Sequence, residues 1–208
     1  MAEAAGFYFE MVSAALCELS PVVLLHGSGG SEISLIDFVR SIAPDRAAFA
    51  LRGRVPWEGG YAFFRRNSDR TIDREDLAVR TKEFCAFLSH LRAKGHRKPI
   101  LVGYSNGAIM AAAAALQAPE LSSGAILIRP LSPCAEDSFP PLRGYPVLLL
   151  AGAADERRDP TDTPHLAEQF EQSGALVTAY LLATGHGLEE TGLDHWLART
   201  WIAGRTSS

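Results

Sequence analysis

Ser105, Asp155 and His186 are the residues whose types and settings could perform nucleophilic chemistry in this chain. Ser105 stands in Gly103-Tyr104-Ser105-Asn106-Gly107, directly after the apolar run Ile100-Leu101-Val102 and directly before Ala108-Ile109-Met110 and five alanines. A buried strand that breaks into a helix through Gly-x-Ser-x-Gly puts its serine at the apex of a strained turn, with the hydroxyl lifted clear of the sheet. The flanking glycines answer the close approach of the two backbones, where a β-carbon would clash. The pentapeptide alone is a weak signal; the strand before it and the helix after it give it weight.

In open α/β sheets ligands bind beyond the carboxyl ends of the strands, so the loops that follow strands are where reactive groups are sought. After Val22–Leu25 comes His26-Gly27-Ser28-Gly29-Gly30, whose backbone N–H groups could face a developing oxyanion or could simply form a Gly-rich turn. His26 reads as a turn-stabilising side chain, not a base. After Val147–Ala151 comes Gly152-Ala153-Ala154-Asp155, where a carboxylate could orient a histidine; Asp159 in the same charged loop is the rival. After Val177–Leu182 comes His186 between Gly185 and Gly187. His90, His96, His165 and His195 lie on or beside expected helices and have plainer explanations. The chain order Ser105, Asp155, His186 is that of the α/β-hydrolase fold and of neither other familiar serine-hydrolase arrangement.

The elements that must hold these loops alternate between strand-length apolar runs and segments of helical period, the pattern of a mostly parallel sheet covered by helices on both faces. Strands are expected at Val22–Leu25, Ala47–Leu51, Ile100–Tyr104, Ala125–Ile128, Val147–Ala151 and Val177–Leu182, each apolar enough to be covered twice. An edge strand is expected somewhere in Phe7–Leu19. Helices are expected at Ile33–Ile42, Thr71–Lys94 with Asp73 as cap, Ala108–Gln117, Pro164–Gln172 and Leu188–Trp201. The Pro-rich stretch Leu131–Tyr145 reads as a surface crossover loop, leaving no separate lid domain.

With 208 residues the chain fits one domain over 1–208, and 47% apolar with 21% charged residues excludes disordered and fibrous classes. A net charge of -4 offers no footprint for nucleic acid and points to small neutral or mixed substrates. Cys17, Cys85 and Cys134 are widely spaced and read as buried or idle thiols, with neither a disulfide framework nor a metal site implied. No apolar run reaches the roughly 18–20 residues of a membrane span. The amino-terminal stretch carries Glu3 and Glu10 without a cationic region, so a cytoplasmic location is expected.

The chain resembles the phospholipase/carboxylesterase branch of the α/β-hydrolase superfamily, and within it the small bacterial carboxylesterases that include the hydroquinone-stress hydrolases. The resemblance rests on Leu24-Leu25-His26-Gly27-Ser28-Gly29-Gly30, Leu51-Arg52-Gly53-Arg54-Val55, Phe63-Phe64-Arg65-Arg66, Gly103 to Ala108, Ile128-Arg129-Pro130 and Gly185-His186-Gly187-Leu188. It implies a catalytic triad of Ser105, Asp155 and His186, an oxyanion hole from the N–H groups of Ser28 and Asn106, and hydrolysis of short carboxylic esters without cofactor or metal. Two departures stand out: Asn106 where many relatives have Gln, and Arg157-Arg158-Asp159 where relatives are more apolar before the proline.

The expected partner is a small-molecule ester, met by Trp57, Tyr61, Phe63 and Phe64 as pocket lining, though these aromatics could equally pack their loop against the body. Arg52, Arg54 and Arg129 stand at strand ends, where they could anchor a carboxylate or pair with an acid; pairing is expected for at least two. The rival activities are acyl-thioesterase or lysophospholipase with the same machinery, and a binding protein on a hydrolase scaffold. Oligomeric state leaves no mark in the sequence.

Overall fold

The computed structural model describes residues 1–13, 18–69 and 71–205; Cys17 lies outside them. The chain begins with β1 (Ala2–Ala4), β2 (Phe7–Ser13), β3 (Val22–Leu25), α1 (Ile36–Ile42), β4 (Ala48–Leu51), β5 (Val55–Trp57), β6 (Gly60–Ala62) and α2 (Arg74–Ala93). It continues with β7 (Ile100–Tyr104), α3 (Asn106–Gln117), a 3-10 turn at Pro119–Leu121, β8 (Gly124–Ile128), β9 (Pro146–Gly152), α4 (Asp162–Gln172), β10 (Leu176–Leu182) and α5 (Leu193–Ala203). Residues 131–145 carry no helix, so no lid domain stands between β8 and β9. Among the described residues no helix is long and apolar enough to cross a membrane.

Eight strands form one sheet in the order β1-β2-β4-β3-β7-β8-β9-β10, parallel from β4 to β10, with β1 and β2 added antiparallel at one edge. Successive side chains of a strand point to opposite faces, so each apolar run feeds two cores at once. Val23, Leu25, Leu101, Leu127, Val147 and Leu149 join α2, α3 and α4 on one face. Val22, Leu24, Ile100, Val102, Ile126, Ile128, Leu148 and Leu150 join α1 and α5 on the other. Full burial of one such side chain contributes about 1.5–3 kcal/mol, which is why the interior strands tolerate almost no polar residue. The chain steps outward from β3 to β4 and then returns to place β7 on the other side of β3. That reversal opens a crevice beyond the ends of β3 and β7, where the Ser28 and Ser105 loops emerge.

The sheet corrects one expectation. The Val177–Leu182 run is not covered twice: β10 is the sheet's edge, paired only with β9, and its Tyr180 and Leu181 are 42% and 72% exposed. Apolar content reports burial only where neighbours exist on both sides. Helix α5 starts at Leu193 and not at Leu188, because the Glu189 N–H and the Glu189 carboxylate are spent on a turn that closes on Asp194, Thr191 and the Leu193 N–H. Helix α2 follows expectation, with the Asp73 carboxylate accepting the Asp76 N–H at 2.9 Å.

A small hairpin, β5–β6, stands outside the main sheet. Its two-residue turn places Glu58 and Gly59 at φ 43° and 81°. Tyr61 then docks on the loop after β3, donating its N–H to Gly30 O at 2.8 Å and accepting the Gly29 N–H at 3.0 Å. The hairpin therefore braces the Gly-rich loop beside Ser105.

Candidate active site

Ser105 has φ 53° and ψ -109°, a region that costs a non-glycine residue about 1–3 kcal/mol. The surroundings leave it no alternative. A β-carbon on Gly103 would stand 2.3 Å from Gly107 O, and one on Gly107 would stand 2.1 Å from Leu25 O, so β7, α3 and β3 meet backbone to backbone. The Ser105 N–H is held by Ile128 O at 2.9 Å. The strain is thus imposed by packing on three sides.

Ser105 Oγ lies 2.9 Å from His186 Nε2, and His186 Nδ1 lies 2.8 and 2.9 Å from the two Asp155 oxygens. With Nδ1–H donating to a carboxylate, Nε2 is left as the acceptor for the serine proton. Burial is the main cause holding the His186 pKa below its ordinary value; hydrogen bonding to Asp155 opposes it, and the charges of Arg158 and Arg157 add to the lowering. The ring is consequently in its proton-accepting form at neutral pH. Asp159 takes no part in this chain of contacts: its carboxylate accepts the Thr161 N–H and hydroxyl at 2.9 and 2.6 Å.

The loop that carries His186 has no regular structure of its own and is clamped from beneath. Arg129, at φ 51° just past β8, donates from Nε to Gly185 O at 3.1 Å and from Nη2 to Gly187 O at 2.8 Å, on either side of the histidine. Its charge is met by Asp194 of α5 through contacts of 3.0 and 2.8 Å, with both side chains fully buried. Tyr104 completes the clamp, its hydroxyl donating to His186 O at 2.9 Å.

Beside Ser105, the backbone N–H groups of Ser28 and Asn106 both lack a protein acceptor among the described residues. Asn106 opens α3, where the first N–H groups of a helix lack partners. Gly27 brings the other loop so close that a β-carbon there would meet the Tyr104 ring at 2.8 Å and Ser105 Cβ at 3.5 Å. The Asn106 side chain is spent elsewhere, accepting the Phe63 N–H at 2.8 Å and donating to Phe64 O at 3.4 Å.

His26 is 2% exposed and stabilises the loop as its setting suggests. Its Nδ1 bonds Gly27 O at 2.7 Å while Nε2 accepts the Gly53 N–H at 2.9 Å, a pattern that only the neutral ring can make. Burial lowers its pKa below 6.5, outweighing the Gly27 hydrogen bond. The unfolded chain therefore takes up this proton first as pH falls through about 6.5. Stability should be intact above that pH and fall below it by up to about 1.4 kcal/mol per pH unit until the folded ring also protonates. Urea midpoints at pH 7.5 and 5.5 measure this: the wild type should lose more between the two than His26→Asn, and an equal loss would remove His26 as the source.

The aromatic segment divides. Trp57 and Tyr61 are half-buried on the hairpin, Tyr61 lying under the Arg52 guanidinium at 4.8 Å. Phe63 and Phe64 are 1% and 0% exposed within the core that α2 and α3 close, so the packing role is theirs and the expected pocket lining is corrected for this pair. A cavity of about 230 Å³ opens along the acid loop, lined by Asp155, Arg158, Pro160, Ala167 and Tyr180. The three strand-end arginines are all paired: Arg52 with Glu32, Arg54 with Glu83, and Arg129 with Asp194. Arg158 is the residue that sequence reasoning passed over. Its Nη2 stands 3.4 Å from Ser105 Oγ, and the one available signal was the Arg157-Arg158 pair already visible as a departure from relatives.

Sheet order, strained serine turn and the Ser105–His186–Asp155 contacts together define an α/β hydrolase architecture, and residues 22–203 match the alpha/beta hydrolase family, to which the chain belongs. Among its relatives is the protein MhqD of Bacillus subtilis (strain 168), 35% identical over 184 residues, a match covering 86% of this chain and 90% of MhqD. A carboxylesterase from Mesorhizobium loti superposes with TM-score 0.88 at 30% identity, covering 98% of this chain and 97% of that one. The Bacillus cereus carboxylesterase superposes with TM-score 0.87 at 28% identity, covering 96% and 93%.

Proposed function

We propose that the chain is a serine carboxylesterase that hydrolyses short-chain carboxylic esters through an acyl-enzyme. The observation that carries this reading is the unbroken chain of contacts from Ser105 Oγ through His186 to Asp155, at 2.9 and 2.8 Å, on a serine held in a strained turn. His186 Nε2 takes the proton as Ser105 Oγ attacks the ester carbonyl, and Asp155 holds the ring in the required tautomer and stabilises the imidazolium. The N–H groups of Ser28 and Asn106 receive the oxyanion. His186 returns the proton to the leaving alcohol, and water repeats the sequence on the acyl-enzyme. The likeness to carboxylesterases from Mesorhizobium loti and Bacillus cereus supports the ester as substrate.

The absence of any helix in residues 131–145 favours short acyl chains, because no inserted element is there to cover a long tail. A p-nitrophenyl ester series should give kcat/KM peaking at about two to six acyl carbons, since each further methylene contributes about 0.8 kcal/mol only where an apolar wall receives it. A fluorophosphonate probe should label Ser105 stoichiometrically. An optimum at twelve carbons would replace the short-ester reading with a lysophospholipase or long-chain thioesterase, and failure to label would point to a scaffold without turnover.

A further inference from the structure

Arg158 carries a charge that no carboxylate among the described residues neutralises by contact. Nε donates to Pro130 O at 2.9 Å and Arg129 O at 3.2 Å, Nη2 to Arg129 O at 2.9 Å, and Nη1 to Arg157 O at 2.9 Å. Among the described residues no Asp or Glu forms an ion pair with it. Asp155 and Asp162 act on it only through space, and Asp155 is already bonded to His186. Three backbone carbonyls therefore fix the guanidinium in place while leaving its charge available. Its last polar contact is the one to Ser105 Oγ, which at 3.4 Å is long and easily exchanged.

A second cation lies within electrostatic range of Arg158. Arg66 follows the hairpin, and burial together with the like charge of Arg158 pushes its pKa down to about 10. Two partly desolvated guanidiniums within range of one another repel, and an anion bound to Arg158 lessens that repulsion.

We propose that Arg158 is a specificity-determining residue that anchors an ionised carboxylate of the substrate, so that the preferred esters carry an acid group a short spacer away from the scissile carbonyl. The inference rests on the serine-esterase reading and narrows its substrate class. A charge-assisted N–H···O contact spans about 2.7–2.9 Å, so a carboxylate on Arg158 reaches a carbonyl carbon at Ser105 Oγ through a spacer of about two carbons. Half-esters of short dicarboxylic acids meet this requirement from the acyl side, and esters of short hydroxy acids meet it from the alcohol side.

The test compares kcat/KM within two matched pairs: phenyl hydrogen succinate against phenyl butyrate, and acetoxyacetate against propyl acetate. Each is measured on the wild type, Arg158→Gln and Arg158→Lys, with fluorophosphonate labelling as the count of working sites. The wild type should prefer the charged member of at least one pair by about tenfold or more, the effect of one hydrogen bond between ions. The preference should shrink with added salt, fall to about threefold or less in Arg158→Gln, and recover in part in Arg158→Lys. The pair that shows it identifies the side of the ester that carries the charge. A wild-type ratio near one in both pairs with labelling intact overturns the anchor alone, as does a preference that survives Arg158→Gln. Absence of turnover and of labelling together overturns the esterase reading and the anchor with it.

Discussion

Ser105→Ala should lower kcat on the order of 10⁴-fold or more, because under the proposed mechanism the loss of the nucleophile leaves only binding and the Ser28 and Asn106 N–H groups to act on the carbonyl. Folding should be retained. Alanine at φ 53° bears the same backbone strain as serine, and the hydroxyl contributes little beyond its hydrogen bond with His186. Ser105→Gly separates the two roles of this position. It should be as inactive as Ser105→Ala yet melt higher, by about 2–4 °C for each kcal/mol of strain released in a chain of this size. Steady-state assays with a short p-nitrophenyl ester and thermal melts of the three proteins make the comparison. Retention of a tenth of the wild-type kcat in either variant would exclude Ser105 as the nucleophile, and a Ser105→Gly melt below that of Ser105→Ala would deny that the turn stores recoverable strain.

The second large effect belongs to the acid. Asp155→Asn should cost about 10⁴ in kcat, since an amide can still hold the ring but favours the wrong tautomer and does not stabilise the imidazolium. Asp159→Asn should cost almost nothing in turnover, its carboxylate being exposed and engaged only with Thr161. Assays of both at pH 7.5 decide between them, and a larger loss in the Asp159 variant would reassign the acid.

How far the sequence reached can be followed residue by residue. The interior strands were legible because burial on two faces demands an uninterrupted apolar run, and Ile100–Tyr104 is found with the bounds expected. Strands of three residues were not. The β1–β2 turn puts Ala5 and Gly6 at φ 47° and 78°, and the β5–β6 turn puts Glu58 and Gly59 in the same region. Asn-Gly or Asp-Gly would have announced such turns; Ala and Glu adopt them only under tertiary pressure, which for the β5–β6 turn is the docking of Tyr61 on Gly29 and Gly30. The loops that carry Ser105, Asp155 and His186 were legible from glycines and from order along the chain. Their supports were not, because the contact between Arg129 and Asp194 joins residues 65 apart and leaves no local pattern. Net charge is silent on the site for a similar reason. An overall charge of -4 says nothing about a single guanidinium fixed 3.4 Å from Ser105 Oγ.

The buried tie between Arg129 and Asp194 also sets an order of events during synthesis. A growing chain exposes Ser105 and the strands β3, β7 and β8 long before α5 leaves the ribosome, so the strained serine turn can form while the rest is still being made. Arg129 at that stage has no counter-charge and no Gly185 or Gly187 carbonyl to grip. The clamp on the histidine loop is complete only once α5 supplies Asp194 to Arg129. Under the proposed mechanism the nascent chain thus carries Ser105 without its base, which arrives with residues 185–187 and is secured once α5 is in place.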